Sequence, residues 1–78
     1  MTVYETIVQA LKNLGGTAYY SDIYIEYERI SNAPLTAGKK AGIRKCIEDN
    51  SSDSSNYKGK NDTFYSVDGL GSGHWGLR

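Results

Sequence analysis

Apolar residues first recur along this chain at helical spacing. Val3, Ile7, Leu11 and Leu14 are separated by four, four and three positions, which sets them on one face of a helix. Thr2 and Glu5 stand ahead of them as a capping box, each side chain answering the other's free backbone N–H. Gly15-Gly16 supplies the stop, because glycine enters a left-handed cap without a Cβ penalty. The pattern therefore predicts a helix over Thr2–Leu14. Thr17–Tyr20 is β-branched and aromatic, long enough for one or two ladder bonds. Ser21 is placed to cap a second helix running to Ser31, with Asp22 near its positive end. Ile23, Tyr27 and Ile30 share a face of that helix. Ile25 does not, lying roughly 200° around from Ile23, beside Tyr24 and Glu28.

Pro34 discourages helix at Ala33, so Ser31–Pro34 reads as a loop. Thr36 can cap a third helix ending near Asn50, with Leu35 as a hydrophobic staple. Ile43, Cys46, Ile47 and Asn50 fall on its inner side. Gly38, Ala41, Gly42, Arg44, Lys45 and Glu48 fall on the other. Each glycine there costs about 1 kcal/mol of helix propensity relative to alanine. Such residues on an outer face suit a partner that approaches the backbone closely; a loosely wound first turn is the alternative for Gly38. Ser51–Asn56 reads as turn chemistry, its side chains bonding nearby backbone. Asp62–Val67 is predicted as a strand, Asp68–Gly73 as a glycine-rich turn, and His74–Leu77 as the returning strand. The order is H1-β1-H2-H3-β2-β3, an α+β class ending in a β-hairpin wing. That is the order of a winged helix-turn-helix. Its predicted core is Ile7, Leu11, Leu14, Ile23, Tyr27, Ile30, Ile43, Ile47, Phe64, Trp75 and Leu77.

A length of 78 residues leaves room for one domain, over 1–78. A chain this small buries only roughly 60% of its unfolded surface, which argues against an enzyme with a deep private pocket. It favours a recognition module. Nine Lys+Arg balance nine Asp+Glu, so a strongly basic chain is not the argument for nucleic acid here. The balance is local, however: two bases face four acids up to Gly38, and seven face five from Lys39 onward. Cys46 is the one cysteine, so no disulfide closes within the chain. No signal-like N-terminus and no apolar run of ~18 residues is present, and the expectation is a soluble, cytoplasmic protein without membrane contact.

No catalytic constellation emerges. His74 and Cys46 lie on different types of element, Cys46 on an inner helix face, and ligands at metal-binding spacing are missing. Gly69–Gly73 opens a strand rather than a helix, so it is not a phosphate-cradling loop. The expectation is a non-enzyme with no cofactor and no metal. Seven tyrosines, four of them between Tyr19 and Tyr27, suit a small core and a protein interface. In a helix-turn-helix the third helix enters the major groove and the wing touches backbone or minor groove. Lys40, Arg44 and Lys45 lie on or beside the outer face of that helix, Lys39 opens the same acid-free basic run, Lys58 and Lys60 precede the wing, and Ser72 and His74 sit near its tip. These eight are the expected DNA contacts. Glu48 and Asp49 oppose them by repelling phosphate, although a carboxylate can accept from cytosine N4. Tyr24, Ile25 and Glu28 are expected to be substantially exposed as a protein-interface patch.

Ile7-x-x-Ala10-Leu11-x-x-Leu14-Gly15-Gly16, Ser21-Asp22-Ile23-Tyr24 and Arg44 followed by Asn50–Ser54 are similar to the HARE-HTH family of winged helices. The ending Phe64–Val67, then Gly69-x-Gly71-x-Gly73-x-Trp75-Gly76-Leu77-Arg78, resembles it most specifically. The resemblance covers nearly the whole chain, especially to copies at the N-termini of HNH-type or modification-dependent restriction endonucleases. Lys39 and Ile25 depart from it, standing where relatives carry a large apolar residue and a charge. The resemblance implies a double-stranded DNA-binding adaptor that senses modified bases or brings a fused or partner nuclease to DNA, and with zero net charge its binding alone is expected to be weak. A more distant relative with a similar Trp-Gly-Leu ending, the delta subunit of bacterial RNA polymerase, engages protein. The alternative is accordingly a small protein-binding module, or a phage-type inhibitor that docks on a nucleic-acid-processing complex.

Overall fold

The capping box opens the first helix as the sequence predicts: Thr2 Oγ1 accepts from the Glu5 N–H at 3.1 Å, and Glu5 Oε1 accepts from the Thr2 N–H at 2.8 Å. In the computed structural model, which describes all residues 1–78, helix α1 spans Val3–Asn13. Strand β1 (Thr17–Tyr19) follows, then α2 (Tyr20–Ser31), α3 (Ala37–Asp49), β2 (Phe64–Ser66) and β3 (His74–Leu77). Gly15 and Gly16 both hold positive φ, which releases the chain from α1 into β1.

The three strands form one antiparallel sheet in the order β1-β3-β2. Trp75 on the central strand pairs with Ala18 and Ser66, and Gly76 pairs with Thr17 and Tyr65. Alternation along β3 turns Trp75 toward the helices and Gly76 away from them. α1 packs against both other helices and against the sheet. The core between them holds Ile7, Leu11, Ile23, Ile43, Ile47, Phe64, Trp75 and Ala18. Phe64 is completely buried and meets Tyr4 edge-on at 6.1 Å. No helix is long and apolar enough to cross a membrane.

Several expectations need correction. Leu14, Tyr27, Ile30 and Leu77 are half-buried at the rim rather than inside, while Ala10 and Ala18 take core positions. Ser21 does not cap α2. The helix begins at Tyr20, straight out of β1, and the Tyr20 N–H donates to the Gly73 carbonyl at 2.9 Å, so the hairpin does the work of a cap. β2 is shorter than Asp62–Val67, because Asp62 instead turns back to bind Ser52.

The serine-rich segment is a tied-down turn. Asp62 accepts from the Ser52 N–H at 2.8 Å and its hydroxyl at 2.6 Å, while Arg78 Nε donates to Asp62 at 2.8 Å. Arg78 also reaches Asp53 at 3.3 Å, and Asp53 accepts from the Ser66 N–H at 2.9 Å. The last residue is thereby bound to the loop that follows α3. These bonds hold the Asp62 carboxyl below its usual range, the Ser52 contacts contributing most.

Candidate nucleic-acid interface

The Thr36 hydroxyl accepts from the Lys39 N–H at 3.2 Å and starts α3 in the predicted register. Ile43 and Ile47 then face the core, which turns Gly38, Lys39, Ala41, Gly42, Arg44 and Lys45 to solvent. A Cβ built on Gly42 meets nothing within 4 Å, and one on Gly38 meets only the Thr36 hydroxyl at 3.9 Å. The outer surface of α3 is thus a shallow track of small residues with cations on its flanks.

Two of those cations converge. Lys40 Nζ lies 5.5 Å from the centre of the Tyr24 ring, and Arg44 Nη1 donates to the Tyr24 hydroxyl at 3.0 Å. Tyr24 on α2 therefore braces both, and its hydrogen bond raises the guanidinium pKa still further. Lys45 is held by Asp49 one turn along at 2.8 Å, the contact that raises its pKa. Lys39 forms no ion pair and is exposed. Lys58 and Lys60 are exposed in the loop between α3 and β2, also without ion pairs, and the Lys58 N–H donates to the Asp49 carbonyl at 3.0 Å.

The hairpin residues are differently occupied. Ser72 Oγ donates to the Gly69 carbonyl at 2.9 Å and accepts from the His74 N–H at 3.3 Å. His74 Nδ1 pairs with Asp68 at 2.7 Å and its ring stacks on Tyr19 at 4.2 Å, leaving the side chain 19% exposed. Both side chains hold the hairpin together, and Leu70, 60% exposed, forms its tip.

No protein-family model, curated protein or solved structure matches this chain.

On α2, Ile25 is 65% exposed, as the helical spacing predicts. Tyr24 and Glu28 are half-buried, which corrects the expectation of substantial exposure. Tyr24 is covered by Lys40 and Arg44, and Glu28 Oε2 accepts from the Leu35 N–H at 2.7 Å to tie the loop before α3. Cys46 is half-buried beside Asn50, and burial pushes its thiol pKa up, away from the reactive thiolate. No three His, Cys, Asp or Glu side chains gather as metal ligands.

Sequence reasoning missed Tyr24 as the brace of Lys40 and Arg44. Its spacing marked it as a neighbour of Ile25, but the contact crosses between helices twenty residues apart in the chain. It also missed Tyr20, whose ring lies between Tyr24 at 5.9 Å and Trp75 at 6.4 Å.

Proposed function

We propose that this chain is a winged helix-turn-helix module that binds double-stranded DNA through the outer face of α3, with β2 and β3 as its wing. It acts as an adaptor that brings a fused or partner nuclease to DNA, as the HARE-HTH resemblance implies, and performs no catalysis itself. The observation that carries the reading is the uncrowded track of Gly38, Ala41 and Gly42, flanked by exposed Lys39 and by Lys40 and Arg44 braced on Tyr24. Small residues let the helix backbone approach the groove, and fixed cations meet phosphates at a lower entropic cost than free ones. Zero net charge keeps affinity in the micromolar range or weaker at physiological salt.

Fluorescence anisotropy on a labelled duplex tests this. Affinity should fall steeply between about 50 and 200 mM salt, and the joint variant Arg44→Gln, Lys45→Gln should lose most of it. An absence of binding at the lower salt would remove the DNA reading.

The exposure of Ile25 supports a second reading, a protein contact on α2. Under it, Ile25→Glu leaves the thermal melt unchanged and weakens capture of the partner or of a second copy. An unfolded Ile25→Glu variant would contradict the assignment of that face.

A further inference from the structure

Lys40 and Arg44 stand one turn apart on α3 and meet the same residue of α2. Lys40 Nζ lies over the Tyr24 ring, and Arg44 Nη1 donates to the Tyr24 hydroxyl at 3.0 Å. Neither cation has a carboxylate partner, the ion pairs of the chain engaging Arg29, Lys45, His74 and Arg78 instead. Glu28 lies one turn beyond Tyr24, and Glu48 one turn beyond Arg44. Both are occupied, Glu28 by the Leu35 N–H at 2.7 Å and Glu48 by the Asn56 amide at 3.2 Å. The Tyr24 ring is stacked on Tyr20, 5.9 Å away and within 8° of parallel. The Tyr20 N–H is bonded in turn to the Gly73 carbonyl, so the phenol is anchored to the hairpin.

A phenol that accepts from Arg44 still has its own hydrogen to give, and no acceptor within the chain takes it. Cations held by a ring and a neutral hydroxyl, rather than by a carboxylate, keep their full charge for a ligand. Converging donors of positive charge call for an anion rich in acceptors; a base edge, uncharged and carrying donors of its own, suits them less. We propose that Tyr24, Lys40 and Arg44 together seat one backbone phosphate of the duplex, the Tyr24 hydroxyl donating directly to a phosphate oxygen. Tyr24 is then a DNA contact in its own right, on α2, and more than a brace for its neighbours. A contact of this kind carries no sequence information and instead sets where α3 stands against the groove. The assignment of this seat rests on the DNA reading of α3.

Anisotropy titrations of the whole chain with a labelled duplex at low salt compare the parent with Tyr24→Phe, Arg44→Gln and the joint variant. Tyr24→Phe keeps the ring beside Lys40 and loses only the hydroxyl. It should weaken binding about five- to tenfold, the effect of one hydrogen bond to a charged group, with the melt unchanged. The slope of affinity against salt should stay the same, because no charge is removed, whereas Arg44→Gln should lower that slope by about one. The Tyr24→Phe loss should persist in the Arg44→Gln background. Full affinity in Tyr24→Phe overturns the proposal, and so does a loss that vanishes once Arg44 is gone, since Tyr24 then acts only through Arg44. In both cases the parent still binds and the DNA reading stands; a parent that does not bind removes that reading and the phosphate seat together. If Tyr24→Phe fails to fold, the Tyr24 ring and Arg44 Nε–H signals of the parent are followed by NMR as duplex is added. Both should move, and an unmoved Tyr24 ring overturns the proposal.

Discussion

Gly76 is where the sheet tolerates least. A Cβ built there stands 2.6 Å from Tyr65 Cε1, 2.8 Å from Tyr65 Cζ and 2.9 Å from Thr17 Cγ2. The Tyr65 ring lies across the glycine from β2, filling the space a side chain on the central strand would occupy. In Gly76→Ala the ring has to move from 2.6 Å out to at least 3.4 Å, while Thr17 yields on the other side. The Tyr65 ring also lies 5.9 Å from the Arg78 guanidinium, so the displacement disturbs the clamp at the C-terminus. Overpacking of this kind costs about 1–3 kcal/mol, offset by about 0.4–1 kcal/mol from the lower entropy of the unfolded alanine chain. The net spans about 0–2.6 kcal/mol and centres on a loss of about 1.3 kcal/mol, or a fall of roughly 5–10 °C in Tm for a domain of this size. Differential scanning calorimetry of Gly76→Ala, and of the same change in a Tyr65→Ala background, measures it. The penalty should shrink once the ring is gone. A Gly76→Ala variant as stable as the parent would refute the argument.

Gly42→Ala should do the opposite and stabilise by about 0.5–1 kcal/mol in a chemical-denaturation curve, because the added methyl meets nothing within 4 Å on an exposed helix. Trp75→Ala should cost about 3–5 kcal/mol and leave little folded protein by circular dichroism, since a domain of this length has only about 4–12 kcal/mol in total. Acid should destabilise the fold: the Arg29 and Asn13 hydrogen bonds hold the Glu26 carboxyl at about 2, and Asp62 is lowered by Ser52 and Arg78. Depressed carboxylates contribute above their unfolded pKa values, so Tm should be flat above about pH 5 and decline toward pH 2. Glu26→Gln should flatten part of that decline.

What the sequence made legible is what depends on neighbours in the chain. The Thr2–Glu5 box, the Gly15-Gly16 exit, the Thr36 cap and the outward turn of Ile25 all follow from residues within about two turns of each other. The missing parts are contacts across the fold. Tyr65 over Gly76, Tyr20 against Gly73, and Arg78 on Asp53 and Asp62 join residues that no local period relates. Ala10 and Ala18 are buried, yet small side chains carry little weight in a hydrophobic pattern. For the candidate interface, the outward placement of Arg44 and Lys45 was legible from helical spacing, whereas Lys40, expected beside them, is half-buried against Tyr24 and the exposure of Lys39 was not read from that spacing. The brace on Tyr24, and the engagement of Ser72 and His74 within the hairpin, depend on how α2 and β3 are seated.

Amide chemical-shift mapping of the labelled chain against a short duplex at low salt tests the central claim most directly. The account predicts shifts concentrated on Gly38–Lys45, with a smaller set at the hairpin turn, fading as salt is raised. Shifts centred on Ile25 and the rest of α2, or none at low salt, would contradict it.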